Sequence, residues 1–267
     1  MHKISIITVN YNNCNGLKKT IKSVLGQNYN NIEYIIIDAG STDGSVELIK
    51  ETSSSYPDSI TYWSSEKDNG IYDGMNKGIR QATGDYCLFL NSGDWLYSST
   101  TLSKVFENTE YVEDLIIGRQ VHYSKLGYPQ SRHYHVDEMD KFYFYADTLP
   151  HQCTFIKTSL LEKIGGYHTD YKIVSDWIFW YEAVSLFDAK AIAVNVFVAI
   201  QEKGGVSSDL QKCLNETNKY LLSVTSGYSP NEMMRVREAF ANELEYKKAT
   251  RSIMGKFLVR IAKYLDK

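Results

Sequence analysis

Acidic and amide side chains recur in this sequence directly after short apolar runs. The acids that follow such runs are Asp38, Asp43, Glu66, Asp68 and Asp94. Carboxylate and amide oxygens can hold a divalent cation or sugar hydroxyls. One acid after a strand is commonly a helix cap, and the tip Asn91-Ser92-Gly93-Asp94 has the composition of an ordinary turn. Recurrence after three successive runs favours a ligand site over three unrelated caps.

The apolar runs themselves are predicted to be strands of one sheet. Predicted strands span 4–9, 32–37, 60–63 and 86–90, and apolar residues at helical spacing lie between them, with a helix stop at Gly26 and another near Gly84. Strand-helix repeats whose strands are apolar on both faces imply a parallel sheet covered by helices. Ligands of such sheets sit outside the carboxyl ends of the strands, so the acids should meet at one rim.

The second half of the chain has a different pattern. Residues 115–136 alternate as antiparallel strands do, 158–164 and 175–187 have helical spacing, and 191–200 is an apolar strand. Everything from residue 209 onward is predicted to be helical. The sequence thus predicts an α/β fold that ends in a helical extension.

Bulk composition excludes several classes of protein. The chain has 267 residues, a formal net charge of −3 and four cysteines without a CxxC pair. The charge argues against a nucleic-acid binder, and the spaced cysteines argue against zinc and a disulfide framework. The apolar run after Lys3 is broken by Asn10, so no secretory signal is predicted, and the stretch 189–200 is too short to span a bilayer. A cytoplasmic location is expected.

The common nucleotide cradles are missing from this sequence, which has neither a GxGxxG motif nor a P-loop. The first predicted strand ends instead in Thr8-Val9-Asn10-Tyr11-Asn12. This segment offers amides and one aromatic face to a base.

Together these motifs resemble the family 2 glycosyltransferases with the GT-A fold. The resemblance is carried, in the family's order, by SIITVNYN at 5–12, IDAGSTDG at 37–44, DNGIYDGMNKG at 68–78, NSGD at 91–94, PHQ at 150–152 and SDW at 175–177. It extends to about residue 205 and is similar to the bacterial O-antigen and exopolysaccharide branch. It implies a mainly parallel central sheet with flanking helices, a nucleotide-binding half at about 1–95, an acceptor half at about 96–205 and a C-terminal helical extension at 206–267.

The resemblance also implies where the donor binds. Asp38 is expected to hydrogen-bond the uracil or ribose of a nucleotide sugar, with Thr8, Asn10 and Tyr11 beside it. Asp68 is expected to border the same pocket.

Asn91 and Asp94 occupy the place of the family's Asp-x-Asp metal motif, and Asn91 is also expected to face the donor. The sequence departs from the motif because Asn91 replaces the first acid and two residues separate it from Asp94. A hard cation prefers charged oxygen ligands, so Mn²⁺ or Mg²⁺ is expected to bind more weakly than in the motif's usual form. The diphosphate is expected to supply further ligands.

Asp176 matches the family's catalytic base. Inversion at an anomeric carbon needs a carboxylate that removes the acceptor's hydroxyl proton as attack begins. An acid at the start of the helix predicted for 175–187 would also be stabilising without any catalytic role. The two interpretations are compatible.

Three further residues are candidates for contact with acceptor or phosphate. His151 and Gln152 precede an apolar strand at 153–156, and Trp95 follows Asp94. His151 is equally well explained as a satisfied structural histidine. Trp95 has a ring that could stack on a sugar.

Seven basic residues lie between Tyr246 and Lys267, on a segment whose apolar residues recur every four positions. A basic amphipathic helix suits an anionic membrane surface, and a helix packed on its own domain explains the pattern nearly as well. We expect an inverting transferase that moves a sugar, from a UDP donor, to a glycan or lipid-linked acceptor in surface polysaccharide synthesis, at the inner membrane face if this helix binds lipid. The alternative is a non-catalytic nucleotide-sugar-binding protein with a degenerate metal motif.

Overall fold

Strands and helices alternate along the chain in the computed structural model, which describes residues 1–123, 129–132, 134, 136, 139, 143–201, 210–224, 227, 229, 231–232 and 234. The strands are β1 (Ile4–Asn10), β2 (Ile32–Asp38), β3 (Tyr62–Ser65), β4 (Tyr86–Phe89), β5 (Trp95–Leu96), β6 (Leu115–Tyr123), β7 (Pro129–Arg132), β8 (Thr154–Lys157) and β9 (Ala191–Ile200). The helices are α1 (Cys14–Leu25), α2 (Ser45–Ser55), α3 (Ile71–Ile79), α4 (Thr101–Phe106), α5 (Tyr143–Ala146), α6 (Thr158–Ile164), α7 (Ser175–Ser185) and α8 (Leu210–Val224).

The first four strands form the parallel sheet that the sequence predicts, in the order β3-β2-β1-β4. Every residue of β1 is buried. Ile7 and Val9 belong to one apolar cluster, on which α3 and α7 pack, whereas Ile4 and Ile6 belong to a second cluster with α1 and α4. Successive side chains of a strand point to opposite faces, so a continuous apolar run fills two cores at once.

The second half of the sheet is mixed, so the expectation of a mainly parallel sheet holds only for the first half. Strand β8 pairs antiparallel with both β4 and β6, β7 with β6 and β5 with β9, while β6 and β9 are parallel. The antiparallel alternation predicted for 115–136 is confirmed in β6 and β7. Because β8 runs against β4, its amino end lies beside the carboxyl end of β4. That direction carries the preceding 3-10 turn, His151–Cys153, to the same edge.

Three predicted boundaries are wrong by a few residues. Strand β3 covers Tyr62–Ser65 rather than 60–63, because its register with β2 pairs Ile35 with Tyr62. Helix α3 ends at Ile79 rather than near Gly84, and α7 ends at Ser185. After α3, the chain turns back through a bond from the Ala82 amide to the Ile79 carbonyl.

The predicted carboxyl-terminal helices are only partly covered by the described residues. Helix α8 confirms helical structure after residue 209. The predicted domain boundary near 205 and the basic segment 247–267 lie outside the described residues and stay predictions. Among the helices that are described, none combines the length and apolar character needed to cross a bilayer.

Candidate active site

The carboxyl ends of the parallel strands meet at one rim. Asn10 at the end of β1 pairs in register with Asp38 at the end of β2, and Asp38 pairs with Ser65 at the end of β3. After β4, the Ser92 amide donates to the Val9 carbonyl at 3.1 Å. The convergence predicted from the sequence therefore exists, and three of the four parallel strands present polar side chains there.

Asp38 is the centre of a buried hydrogen-bond network. Its Oδ1 accepts from Asn10 Nδ2 at 2.7 Å and from the Ser41 hydroxyl at 2.6 Å, and its Oδ2 accepts from the Ser41 amide at 2.9 Å and the Ser65 hydroxyl at 2.6 Å. Burial alone would raise the pKa of Asp38, but these hydrogen bonds outweigh it and lower the pKa. A carboxylate has about four acceptor positions, so a ligand would have to displace one of these donors.

The other residues predicted to bind the donor differ in exposure. Thr8 is fully buried and its hydroxyl donates to the Leu90 carbonyl at 2.8 Å, so its side chain belongs to the interior of the sheet rather than to the rim surface. Tyr11 is 66% exposed and leaves a ring face open at the end of β1. Asn10 Oδ1 is buried and lacks a hydrogen-bond partner among the described residues.

Asp68 follows β3 and lies against helix α3. Its Oδ1 accepts from the Gly70 amide at 2.9 Å, while its Oδ2 is buried without a hydrogen-bond partner in the described structure. A Cβ added at Gly74 would lie 3.1 Å from that oxygen and 2.8 Å from Val9. Because Gly74 has no side chain, α3 can approach both β1 and Asp68 closely.

The tip after β4 is held by a residue of helix α1. The Thr20 hydroxyl is fully buried, donates to the Asp94 carbonyl at 2.7 Å and accepts from the Gly93 amide at 3.1 Å. Gly93 has a φ of +105°, a backbone conformation that residues other than glycine rarely adopt. The Asn13 side chain adds a bond to the Ser92 carbonyl at 3.0 Å. Three hydrogen bonds from α1 and its N-cap residue thus hold the tip in this conformation.

The residues at the metal-motif position offer few ligands. Among the described residues, no group of three or more His, Cys, Asp or Glu side chains could hold a metal ion. Asn91 Oδ1 is buried and unpartnered within the described residues, and Asp94 is 8% exposed. Mg²⁺ commonly takes only one or two protein oxygens and completes its shell with phosphate and water. This donor set fits such a cation bound together with a diphosphate.

Asp176 lies in the first turn of α7, where three groups contact its carboxylate. Its Oδ1 accepts from the Tyr72 hydroxyl and from the Trp177 amide, both at 2.9 Å, and its Oδ2 lies 3.2 Å from His151 Nδ1. The Tyr72 hydroxyl also lies 2.6 Å from the Ile173 carbonyl. The side chain of Asp176 keeps 23% of its surface exposed, so an acceptor can reach it.

His151 joins this carboxylate to the metal-motif tip. Its Nε2 lies 3.1 Å from Asn91 Nδ2, on the side of the ring opposite the Asp176 contact. In the neutral ring these contacts fit one tautomer, in which Nδ1 donates to Asp176 and Nε2 accepts from Asn91. Burial would lower the pKa of His151, but the bond to Asp176 and the charges of Asp176 and Asp94 raise it overall.

The remaining candidates have structural contacts. Gln152 is buried in the 3-10 turn beside His151. Trp95 is half-buried in β5, and Lys19 Nζ lies 5.5 Å from its ring centroid. Asp43 precedes the N-cap residue of α2 and accepts from the Ser45 amide and hydroxyl and from the Cys14 amide at the start of α1, so this acid has a structural role at two helix starts. Glu66 forms an ion pair with Lys77 at 3.0 Å.

Several residues of the rim were missed by reasoning on acids alone. Tyr72 lies in the motif at 68–78 and Ser41 in the motif at 37–44, so the sequence carried a signal for their contacts to Asp176 and Asp38. Thr20 and Ser65 had none, because a hydroxyl on an amphipathic helix and one at the end of an edge strand have no distinctive spacing. Only the fold brings them to the acids.

Comparison with known proteins extends these observations. The family model described as Glycosyl transferase family 2 matches residues 5–175. An uncharacterized glycosyltransferase of Mycobacterium tuberculosis (strain CDC 1551 / Oshkosh) is 34% identical over 182 residues, which cover 65% of this chain and 65% of that protein. A PGL/p-HBAD biosynthesis glycosyltransferase of Mycobacterium bovis (strain BCG / Pasteur 1173P2) is 27% identical over 212 residues, 77% of this chain and 79% of that protein. The chain therefore spans about 65% of the length of the first of these relatives.

Solved structures share the fold at low identity. S. aureus TarS has a TM-score of 0.68 at 16% identity, and the aligned region covers 90% of this chain and 43% of the TarS chain. A TarS 1–349 structure in complex with UDP-GlcNAc has the same TM-score and identity, with 91% and 71% covered. The mannosyltransferase PcManGT from Pyrobaculum calidifontis, in complex with GDP-Man and Mn²⁺, has a TM-score of 0.64 at 16% identity, with 99% and 80% covered. These likenesses confirm the predicted fold class.

Proposed function

Because the chain belongs to glycosyl transferase family 2, we propose that it transfers a sugar from a UDP-linked donor to a hydroxyl of a glycan or lipid-linked acceptor, with inversion at the anomeric carbon. Residues 1–205 form the catalytic domain in this proposal, with the donor on the 1–95 half. Surface polysaccharide synthesis is the proposed setting.

The observation that carries the proposal is the placement of Asp176. Its carboxylate is oriented by Tyr72 and His151, remains partly exposed, and is joined through His151 to Asn91 at the end of β4. A carboxylate that only capped α7 would need none of these side-chain contacts. Orientation at a shared rim is what a general base requires.

The chemistry follows from that geometry. As the acceptor oxygen bonds to the anomeric carbon, its proton passes to the carboxylate of Asp176. The bond between that carbon and the diphosphate oxygen breaks on the opposite face, and UDP leaves. Tyr72 and His151 hold the carboxylate, so it does not have to reorient during the step.

Donor binding is proposed at the ends of β1 and β2. Tyr11 offers an exposed ring for the base, and Asn10 Oδ1 and Asp68 Oδ2 are acceptors without partners among the described residues. Such buried acceptors gain most from a ligand that donates hydrogen bonds. Asp38 contacts uracil or ribose only if Ser41, Ser65 or Asn10 yields its place, and otherwise it shapes the pocket. UDP is proposed over GDP on the resemblance alone, and TarS and PcManGT provide one precedent for each nucleotide.

A divalent cation, Mn²⁺ or Mg²⁺, is part of the proposal. Asp94 and Asn91 Oδ1 would hold it together with the diphosphate, and it would offset the negative charge of the leaving group. The basic segment 247–267 is proposed to attach the enzyme to an anionic membrane surface, where a lipid-linked acceptor would be found.

The test compares wild type with Asp176→Asn. Release of the nucleoside diphosphate, UDP or GDP, from a panel of UDP- and GDP-sugars should fall by about 10²- to 10⁴-fold in the variant, the usual contribution of general acid-base catalysis. UDP binding, measured by calorimetry, should persist. Loss of UDP binding together with turnover would contradict a role restricted to proton transfer.

The second candidate is a nucleotide-sugar-binding protein without catalysis. The amide at position 91, where the family motif has an acid, favours it, as does the small number of metal ligands among the described residues. A wild type that binds UDP and releases none from any donor, with water or glycan as acceptor, would support this candidate.

A further inference from the structure

The turn that leads into α7 is held by a side chain from a distant part of the chain. Helix α7 starts at Ser175, and its N-cap residue Val174 receives no side-chain cap from its own segment in the described structure. Amides at the start of a helix have no partner within the helix. The three amides just before the helix, those of residues 172 to 174, are all bound by one carboxylate of α8.

That carboxylate belongs to Glu216. Its Oε1 accepts from the Lys172 amide at 2.9 Å, and its Oε2 accepts from the Ile173 amide at 2.9 Å and the Val174 amide at 3.2 Å. Hydrogen bonds to an ionised acceptor are about twice as strong as neutral ones. Two residues after the last of these amides is Asp176.

Helix α8 is anchored where it can present Glu216. Tyr220, one turn further along α8, is 5% exposed, donates to Glu182 at 2.9 Å, and packs edge-on against Trp177 and Tyr181. Residues four apart lie on one face of a helix. Because Tyr220 docks onto α7, Glu216 on the same face of α8 points toward residues 172–174, just before α7.

The same turn is fixed from its other side. The Tyr72 hydroxyl lies 2.6 Å from the Ile173 carbonyl and 2.9 Å from Asp176 Oδ1 and can donate its single proton to either one. Lys172 Nζ donates to the Asn69 and Thr169 carbonyls at 3.0 and 2.9 Å. The backbone amides of this turn therefore bond to α8, whereas the Ile173 carbonyl and the Lys172 side chain bond to Tyr72 and Asn69, at and just before the start of α3. Without Glu216, three amides lose their acceptor, while the Tyr72 and Lys172 contacts and the bond from the Ile178 amide to the Val174 carbonyl remain.

We propose that Glu216 is a positioning residue for Asp176. This inference rests on the proposed function. The match to the family model ends at residue 175, directly before Asp176, and Glu216 lies in a later segment beyond that match. A displacement of about 1 Å of a reacting group can cost about 10²-fold in rate.

The experiment uses Glu216→Ala and Glu216→Gln in the full chain. Glutamine keeps one acceptor oxygen, so it should retain part of the clamp. The rate kcat of UDP release should fall by about 10- to 100-fold in the alanine variant and by less in the glutamine variant. The dissociation constant of UDP should stay within about twofold of wild type, and hydrogen exchange of the amides at 172–177 should accelerate.

Two controls separate positioning from general stability. Asn215→Ala changes the exposed neighbour on α8, whose oxygen accepts from Gln211 on the same helix. Glu33→Gln changes another carboxylate that accepts several hydrogen bonds, from Lys3, Ser5 and Thr83, at the amino end of β2, away from the rim. It should lower Tm without a comparable loss of kcat.

A kcat within twofold of wild type in Glu216→Ala overturns the inference, as does unaltered exchange at 172–177. An equal loss of kcat in Glu33→Gln at matched loss of Tm also overturns it, because the effect would then be one of stability. If wild type releases no UDP from any donor, the proposed function fails, and the exchange measurement still decides whether Glu216 holds the turn.

Discussion

The Nδ1 atom of His151 lies 3.2 Å from the Oδ2 atom of Asp176. The opposite nitrogen of the same ring contacts Asn91, so one partly buried side chain joins the proposed base to the proposed metal-motif position. From the sequence, Asp176 and Asn91 belong to separate motifs, and His151 is equally well explained as a structural or a functional residue. The contact assigns it to both parts of the rim.

We predict that His151→Gln lowers kcat by about 10- to 100-fold, because a hydrogen bond to a charged group is worth about 1.5–3 kcal/mol. UDP release measures the rate, and calorimetry should show UDP affinity close to wild type. His2→Gln is the matched control, since His2 Nε2 accepts from the Tyr111 amide at 3.0 Å near the amino end of β1, away from the rim. Weaker UDP binding at unchanged kcat would place His151 on the donor instead.

The fold of the first half could be predicted because its signals are local. A strand buried on both faces must be mostly apolar, and β1, β2 and β4 are so, with buried polar residues such as Ser5, Thr8 and Glu33 held by hydrogen bonds. The direction of β8 could not be predicted, since a short apolar run has the same composition in either direction. Because that direction sets the position of His151, the sequence could not show that His151 contacts Asp176.

The rim residues divide in the same way. Asp38 and Asn10 were predicted from their place after strands, and the structure brings them together. Thr8 was predicted as a donor contact, but strand alternation turns its side chain inward to the Leu90 carbonyl. Glu216 had no signal at all, because its partners are backbone amides more than forty residues earlier in the chain.

We predict that Asp38→Asn destabilises the fold in a pH-dependent way. The amide group keeps one acceptor oxygen and replaces the other with an NH2, which then faces either Asn10 Nδ2 and the Ser41 hydroxyl or the Ser41 amide and the Ser65 hydroxyl. Placing one donor against another costs about 2 kcal/mol, or roughly 5 °C in Tm. The folded pKa of Asp38 is lowered from 3.8, so its stabilising contribution is present above pH 3.8 and is lost as pH falls through the lower folded value.

Thermal denaturation between pH 2.5 and 7 measures this difference. The gap in Tm between wild type and Asp38→Asn should be constant near neutral pH and should narrow below pH 3.8. Asp188→Asn is the control, because Asp188 is an exposed partner of Lys190 and should change Tm little at any pH. A gap that widens in acid would contradict a lowered folded pKa.

We predict that Asn91→Asp strengthens cation binding. A second carboxylate at the tip adds a charged oxygen ligand, which a hard cation prefers. The Mn²⁺ concentration that gives half of the thermal shift with UDP should fall several-fold, since binding to the folded state raises Tm. Asn91→Ala should raise that concentration. Equal Mn²⁺ dependence in all three proteins would exclude residue 91 as a ligand position.

The last prediction concerns Thr20, which shapes the tip without belonging to it. Valine has nearly the same shape as threonine, so Thr20→Val keeps the packing of α1 and removes only the hydroxyl. The Gly93 amide and the Asp94 carbonyl then lose a partner at 3.1 and 2.7 Å, at a cost of about 1–3 kcal/mol. Because Gly93 holds a φ of +105°, the tip should relax toward other conformations.

A relaxed tip should bind the diphosphate and its cation less well. The apparent KM for donor and the Mn²⁺ requirement should rise several-fold in Thr20→Val, while kcat at saturating donor changes less, because Asp176 is held by other contacts. Thr52→Val is the matched control, since the Thr52 hydroxyl donates to the Leu48 carbonyl of its own helix, α2, away from the tip. If both variants lose similar Tm and neither alters the Mn²⁺ requirement, the Thr20 hydroxyl stabilises the fold and has no influence on the site.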